Sequence, residues 1–435
     1  MNILHINLAD VARGAARAAL RLHKAQMKLG HSSQMLVGYK KKSQPHIEAL
    51  PVRNTRWQQG LYRFVNQWEQ HTGLQYLWQP WKNQFLRHPF TQQAEVVNLH
   101  NIHSGYFSHT ILPKLSHKAP LVWTLHDLWS ITGHCCFPYM HECERWKTGC
   151  GKCPELSVYP AITIDTTAWL WRIKSKIYRH SDITVVTPSD WMAEIARQSP
   201  LLNRFEVHCI PHGLDTKLFK PMAKSAARQM LGIPTDAKVI LFAAFELHHK
   251  RKGGAYLFEA LQRLVAEGRK DLRLVIVGTE KVVLDAKYKF PVQSLGLIKD
   301  ESTMALCYNA ADLYAGPSLA ESFGLVYMEA MACGTPVIAF DCTAIPEVVR
   351  HLETGYLARV EDVDDLTHGM RLLLDDDALR EKLGRQSREL VEREYTLKLQ
   401  AQRYVDLYQH AIDKKRHLLS LSLKSFAAAP LNDIK

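Results

Sequence analysis

Pro317-Ser318-Leu319-Ala320-Glu321-Ser322-Phe323-Gly324-Leu325-Val326-Tyr327-Met328-Glu329-Ala330-Met331-Ala332 lies between two apolar runs, Leu313–Ala315 and Val337–Phe340. The pattern reads as strand, loop, helix and strand, with the helix starting near Gly324, and that is the repeating unit of a parallel α/β sheet. A helix N-terminus offers unpaired N–H groups and a partial positive charge, which suit a diphosphate. Gly324 lets a phosphate approach the backbone closely. Glu329 offers two acceptor oxygens to a vicinal diol such as a ribose, and Glu321 in the loop can reach sugar hydroxyls. The plainer alternative is an amphipathic helix with acidic residues near its start.

Outward from this unit the same alternation runs through most of the chain. Strands are predicted at Ile3–Asn7, Gln34–Val37, Val96–Leu99, Leu121–Leu125, Ile183–Thr187 and Glu206–Ile210. A second series follows Pro211-His212-Gly213 and Pro221, at Val239–Phe245, Leu272–Val277, Leu313–Ala315, Val337–Phe340 and Gly355–Leu357. Two such halves imply a cleft between doubly wound sheets, with ligands beyond the C-terminal ends of the strands. Residues 40–95 lack this rhythm and read as a helical insertion carrying Trp57, Trp68, Trp78 and Trp81. Helices are expected at Leu366–Leu374, Leu379–Tyr395 and Leu397–Ile412, then a frayed tail.

At 435 residues, with 46% hydrophobic and 23% charged residues, the composition is that of a globular, two-domain protein. Met1-Asn2-Ile3-Leu4-His5 has no basic leader, and no apolar run reaches the roughly 18–20 residues of a membrane span. The expected location is the cytoplasm. A net charge of +12 favours acidic partners, but no nucleic-acid module accompanies it.

The 317–332 segment, continued by Cys333-Gly334-Thr335-Pro336-Val337-Ile338, resembles the Glu-x7-Glu signature of retaining family 4 glycosyltransferases of GT-B fold. Gly296-Leu297-Ile298, Tyr308-Asn309-Ala310-Ala311-Asp312, Val186-Thr187-Pro188-Ser189 and Ile210-Pro211-His212-Gly213-Leu214-Asp215 match in the family's order, so the resemblance covers nearly the whole chain. It implies an N-terminal acceptor domain over 1–215, a nucleotide-sugar domain over 222–395, a helix crossing back over 396–415, and a tail over 416–435. It also implies transfer of a sugar from a UDP- or GDP-sugar to a hydroxyl of a glycan or lipid-linked acceptor, with retention and without a catalytic metal. The rivals are a silent nucleotide- or glycan-binding subunit and a GT-B epimerase or phosphorylase.

By the same resemblance His126 lies near the transferred sugar, and Lys252 neutralises the departing diphosphate, where charge develops. Gly14 opens a loop facing the phosphates. Ser322, Phe323, Gly324, Leu325 and Val326 take the phosphate side, and Leu297 and Ile298 lie where the family's backbone reads the base. Glu329 takes ribose and Glu321 the transferred sugar. Where the family has an arginine five or six residues before the lysine, this chain has Phe245-Glu246-Leu247, and Arg251 is the candidate replacement.

Five of nine cysteines fall between Cys135 and Cys153. Cys150 and Cys153 form a C-x2-C knuckle, and with Cys143 and Cys135 (or Cys136) they make a candidate structural zinc site. His134 and His141 are spare ligands, and unmetallated thiols are the alternative. With Trp146-Lys147-Thr148-Gly149-Cys150-Gly151, this insertion resembles one in transferases that build bacterial exopolysaccharides such as colanic acid. Trp169–Arg179 carries four basic residues and no acid. It reads either as a peripheral contact with the anionic inner face of the plasma membrane or as a helix with its tryptophans packed inward.

Overall fold

The computed structural model describes residues 1–11, 14–50, 55–138, 143–247, 249–278, 286 and 288–427. Seven parallel strands form the first sheet: β1 Asn2–Ala9, β2 Ser32–Tyr39, β3 Ile47–Ala49, β4 Val96–Leu99, β5 Leu121–Thr124, β6 Thr184–Thr187 and β7 Glu206–Cys209, in the order β3-β2-β1-β4-β5-β6-β7. Six more form the second: β8 Lys238–Ala243, β9 Leu272–Val277, β10 Val292–Ser294, β11 Leu313–Gly316, β12 Val337–Phe340 and β13 Gly355–Ala358, in the order β10-β9-β8-β11-β12-β13. Central strands such as β4, β5 and β12 are buried on both faces, which explains why they read as unbroken apolar runs. Each sheet reverses its winding once, between β1 and β4 and between β8 and β11. The crevice at such a point is where open α/β sheets bind ligands.

Two strands escaped the sequence reading. β3 lies inside the stretch expected to be purely helical, beside the helices Arg56–Thr72, Lys82–Arg87 and Pro89–Gln93. β10 falls in the polar run Val292-Gln293-Ser294. Both are three-residue edge strands, too short to display a period.

The last helix, Leu397–Ala427, returns to the first sheet. Ala401, Tyr404, Leu407, Tyr408 and Ile412 pack with Ile3, Leu22, Val96, Val122 and Val186. The Tyr408 hydroxyl accepts from Asn98 Nδ2 at 2.6 Å, and the Tyr404 and Thr124 hydroxyls are 3.0 Å apart. The expected tail is corrected here, because residues 416–427 continue this helix. Residues 428–435 lie outside the described residues.

Candidate active site

Beyond β8 the chain makes a short 3-10 turn, Lys250–Lys252, closed by Gly253 at φ 67°. A Cβ there would collide with the Pro317 carbonyl, so the glycine lets the lysine loop and the β11 loop touch. Lys252 Nζ lies 2.6 Å from Glu321 Oε1, with Arg251 Nη1 at 3.6 Å from the same oxygen. Burial alone would raise the Glu321 carboxyl, but Lys252 and Arg251 hold it below the usual carboxylate range. Burial pushes Lys252 below the ordinary ammonium range, against the pull of Glu321. Arg251 also donates to the Ala320 carbonyl at 3.1 Å and lies over the Phe137 ring. A second cation therefore stands in the site although Glu246 occupies the stretch before the lysine.

The helix Leu325–Ala332 starts at Gly324, φ 97°, with no side chain capping its first N–H groups. Gly14, at the start of the helix Gly14–Lys28, faces it across the cleft: a Cβ on Gly14 would meet Leu325 Cδ1 at 3.6 Å. The Ser322 carbonyl accepts from Ser189 Oγ at 2.8 Å. Phe323 is buried edge-on against His212 instead of lining open space, and Val326 is half-buried. Leu297 is exposed, and the Ile298 carbonyl accepts from Arg17 Nη2 at 3.4 Å.

Glu329 is held on both oxygens. Oε1 pairs with Arg21 at 2.7 Å, and Oε2 accepts from the Tyr308 hydroxyl at 3.1 Å. Arg21 also reaches Glu301 at 2.8 Å. Neither arginine was singled out from the sequence, although Gly14, Arg17 and Arg21 share one helical face at spacings of three and four.

His126 follows β5 and lies at the head of a row of imidazoles. His126 Nε2 is 3.0 Å from His100 Nδ1, and His100 Nε2 is 2.9 Å from His5 Nδ1. His5 Nε2 meets Gln26 Oε1 at 2.7 Å, and His212 stacks on His126 with centroids 5.3 Å apart. Burial brings His126 and His5 down to about 4 and His100 and His212 well below their ordinary value, so the row is uncharged at neutral pH. With the Gln26 carbonyl accepting from His5, the tautomers follow in turn, and His126 carries its proton on Nε2. Beside it, His103 Nε2 lies 2.9 Å from Asp127.

Cys135, Cys143, Cys150 and Cys153 line one small cavity; His141 lies outside the described residues. Of the four basic residues in the helix Thr167–Arg179, Lys174 is buried. Arg172, Lys176 and Arg179 are exposed, with Trp169 on the same side.

Two doubly wound parallel sheets facing across a cleft, with a cationic loop and an uncapped helix start at the switch point of the second, define the GT-B class. Solved structures share this fold: sucrose-phosphate synthase from Thermosynechococcus elongatus has a TM-score of 0.65 at 19% identity, covering 94% of this chain and 99% of that one. Anabaena Alr3699/HepE in complex with UDP and glucose has a TM-score of 0.63 at 18% identity, covering 94% and 99%. Residues 223–390 match the family described as Glycosyl transferases group 1, and residues 12–218 match Glycosyltransferase Family 4. The colanic acid biosynthesis glycosyl transferase WcaC of Escherichia coli (strain K12) is 28% identical over 376 residues, 80% of this chain and 85% of that protein. The D-inositol 3-phosphate glycosyltransferase of Corynebacterium glutamicum (strain R) is 32% identical over 309 residues, 68% of each. The chain belongs to the group 1 glycosyltransferases.

Proposed function

We propose that this protein transfers a hexosyl group from a UDP- or GDP-sugar to a hydroxyl of a glycan or lipid-linked glycan, with retention of configuration, in the assembly of a polysaccharide. The observation that carries this reading is the Lys252–Glu321–Arg251 cluster beside the uncapped helix start at Gly324. It gathers two cations and free N–H groups where a leaving diphosphate would develop charge, and a carboxylate where sugar hydroxyls would lie. Lys252 and Arg251 neutralise the leaving group, so no metal is required by the residues present. His126, presenting a neutral imidazole from the opposite sheet, orients the transferred sugar. No side chain acts as nucleophile; positioning and charge stabilisation do the work.

The family assignment and the name of WcaC support a polysaccharide product. The UDP and glucose in the HepE complex support a nucleotide-sugar donor. A thermal-shift series with UDP-, GDP- and ADP-sugars tests the donor, because a ligand that binds only the native state raises its stability. The reading expects a shift with UDP- or GDP-sugar, lost in the Glu329→Ala variant; no shift with any of them contradicts it.

A further inference from the structure

We propose that Cys135, Cys143, Cys150 and Cys153 bind one structural zinc ion that fastens their loops to the helix Thr167–Arg179. The four cysteines, from three separate stretches of chain, line a single cavity of about 20 Å³. That is room for a single ion and too little for a substrate. All four are free thiols. Four cysteines lining so small a cavity are the donor set that selects zinc.

Two further features point to a bound cation. Residues Gly149, Cys150, Gly151 and Lys152 all have positive φ, at 118°, 56°, 93° and 46°. For Cys150 and Lys152 that conformation costs about 1–2 kcal/mol each. Hydrogen bonds also hold the turn: Gly149 and Cys150 N–H to the Arg145 carbonyl at 3.1 and 2.8 Å, Gly151 N–H to Thr167 Oγ1 at 2.9 Å and Cys153 N–H to Asp165 at 2.8 Å. A metal bond to the knuckle compensates such strain.

The second is Lys174, which is 1% exposed. Its Nζ donates to the Trp129 and Thr132 carbonyls at 2.5 and 2.9 Å and sits 3.3 Å from the Trp129 ring centre. Among the described residues no carboxylate is in ion-pair contact with it. Buried lysines are rarely left without a counter-charge. On binding, the four thiols release their protons and the zinc–thiolate group carries a net charge of about −2, which Lys174 then partly balances. The Gly133 N–H, 3.2 Å from Cys150 Sγ, and His134 Nε2, 3.3 Å from Cys153 Sγ, complete the surroundings of the sulfurs.

Elemental analysis of the full-length wild-type protein, purified without a metal-affinity step and dialysed, tests this. About one equivalent of zinc per chain is expected. Less than half an equivalent, or iron in its place, overturns it. The Cys150→Ser/Cys153→Ser double variant should lose the zinc while Cys209→Ser keeps it. A double variant that retains the wild-type zinc content overturns the ligand set, and if it fails to fold the wild-type stoichiometry still decides.

Discussion

Arg21 Nη2 stands 2.7 Å from Glu329 Oε1, joining the first helix of one domain to the helix that begins at Gly324 in the other. Both side chains are buried, so the pair ties the two helices together out of reach of water. Removing one partner of a buried pair strands the other charge, which typically costs about 3–5 kcal/mol. Tyr308 remains as a donor to Glu329, so Arg21→Ala should cost about 3 kcal/mol, read as a lower urea midpoint.

Glu329→Ala should act on binding. Losing two hydrogen bonds from ribose hydroxyls to a carboxylate, each worth about 1.5–3 kcal/mol, corresponds to a donor KM higher by roughly a hundredfold or more. The acceptor KM should stay within about twofold. Initial-rate kinetics with each substrate varied separately checks this.

Stability should fall on acidification from pH 6.5. Burial holds His5 and His126 at about 4 and His23 and His109 at about 3 in the folded protein. Between these values and 6.5 the unfolded chain takes up protons that the folded chain refuses, so stability decreases as pH decreases. Glu69, whose carboxyl burial pushes up to about 8, has the opposite sign, but it is one group against four. A loss of several kcal/mol between pH 6.5 and 4.5 is expected. Urea midpoints across this range should drop, with a shallower slope in His126→Gln.

Gly253→Ala and Gly30→Ala separate local strain from site geometry. Both glycines have positive φ, but nothing lies within 4 Å of a Cβ on Gly30, whereas on Gly253 it meets Pro317. Gly30→Ala should cost about 1 kcal/mol with turnover unchanged. Gly253→Ala must displace the Lys252 loop from the Glu321 loop, so kcat should fall as well. Paired urea and kinetic measurements distinguish the two.

Trp57, Phe64, Trp68 and Trp78 are exposed large aromatics, and Thr166 Oγ1 donates to the Gly73 carbonyl at 2.7 Å, bringing their segment beside the helix with exposed Arg172, Lys176 and Arg179. Aromatic and basic side chains on adjoining surfaces suit an anionic bilayer carrying a lipid-linked acceptor. Co-sedimentation with vesicles containing anionic lipid at physiological salt is expected, weakened by Trp57→Ala/Trp68→Ala. No sedimentation contradicts the membrane contact. Among the described residues no helix is long and apolar enough to cross a membrane.

Much of the fold was legible because buried parallel strands announce themselves: Val96–Leu99, Leu272–Val277 and Val337–Phe340 have the bounds that their apolar runs predict. Ile47–Ala49 and Val292–Ser294 were not legible, since three-residue edge strands carry no period. In the site, Glu321, Lys252 and Glu329 could be read from a local motif. Arg21 and the His5–His100–His126 row could not, because their partners lie 26 to 308 residues away in the chain and only the folded cleft brings them together.

The central claim is that Lys252 and Glu321 form the donor-side machinery of a glycosyl transfer. Release of nucleoside diphosphate from a UDP- or GDP-sugar, in the presence of acceptor, measures it most directly for wild type, Lys252→Ala and Glu321→Ala. Losing an electrostatic group aimed at the developing charge should lower kcat by about 10²-fold or more in each variant. Turnover at the wild-type rate in either folded variant would contradict the account.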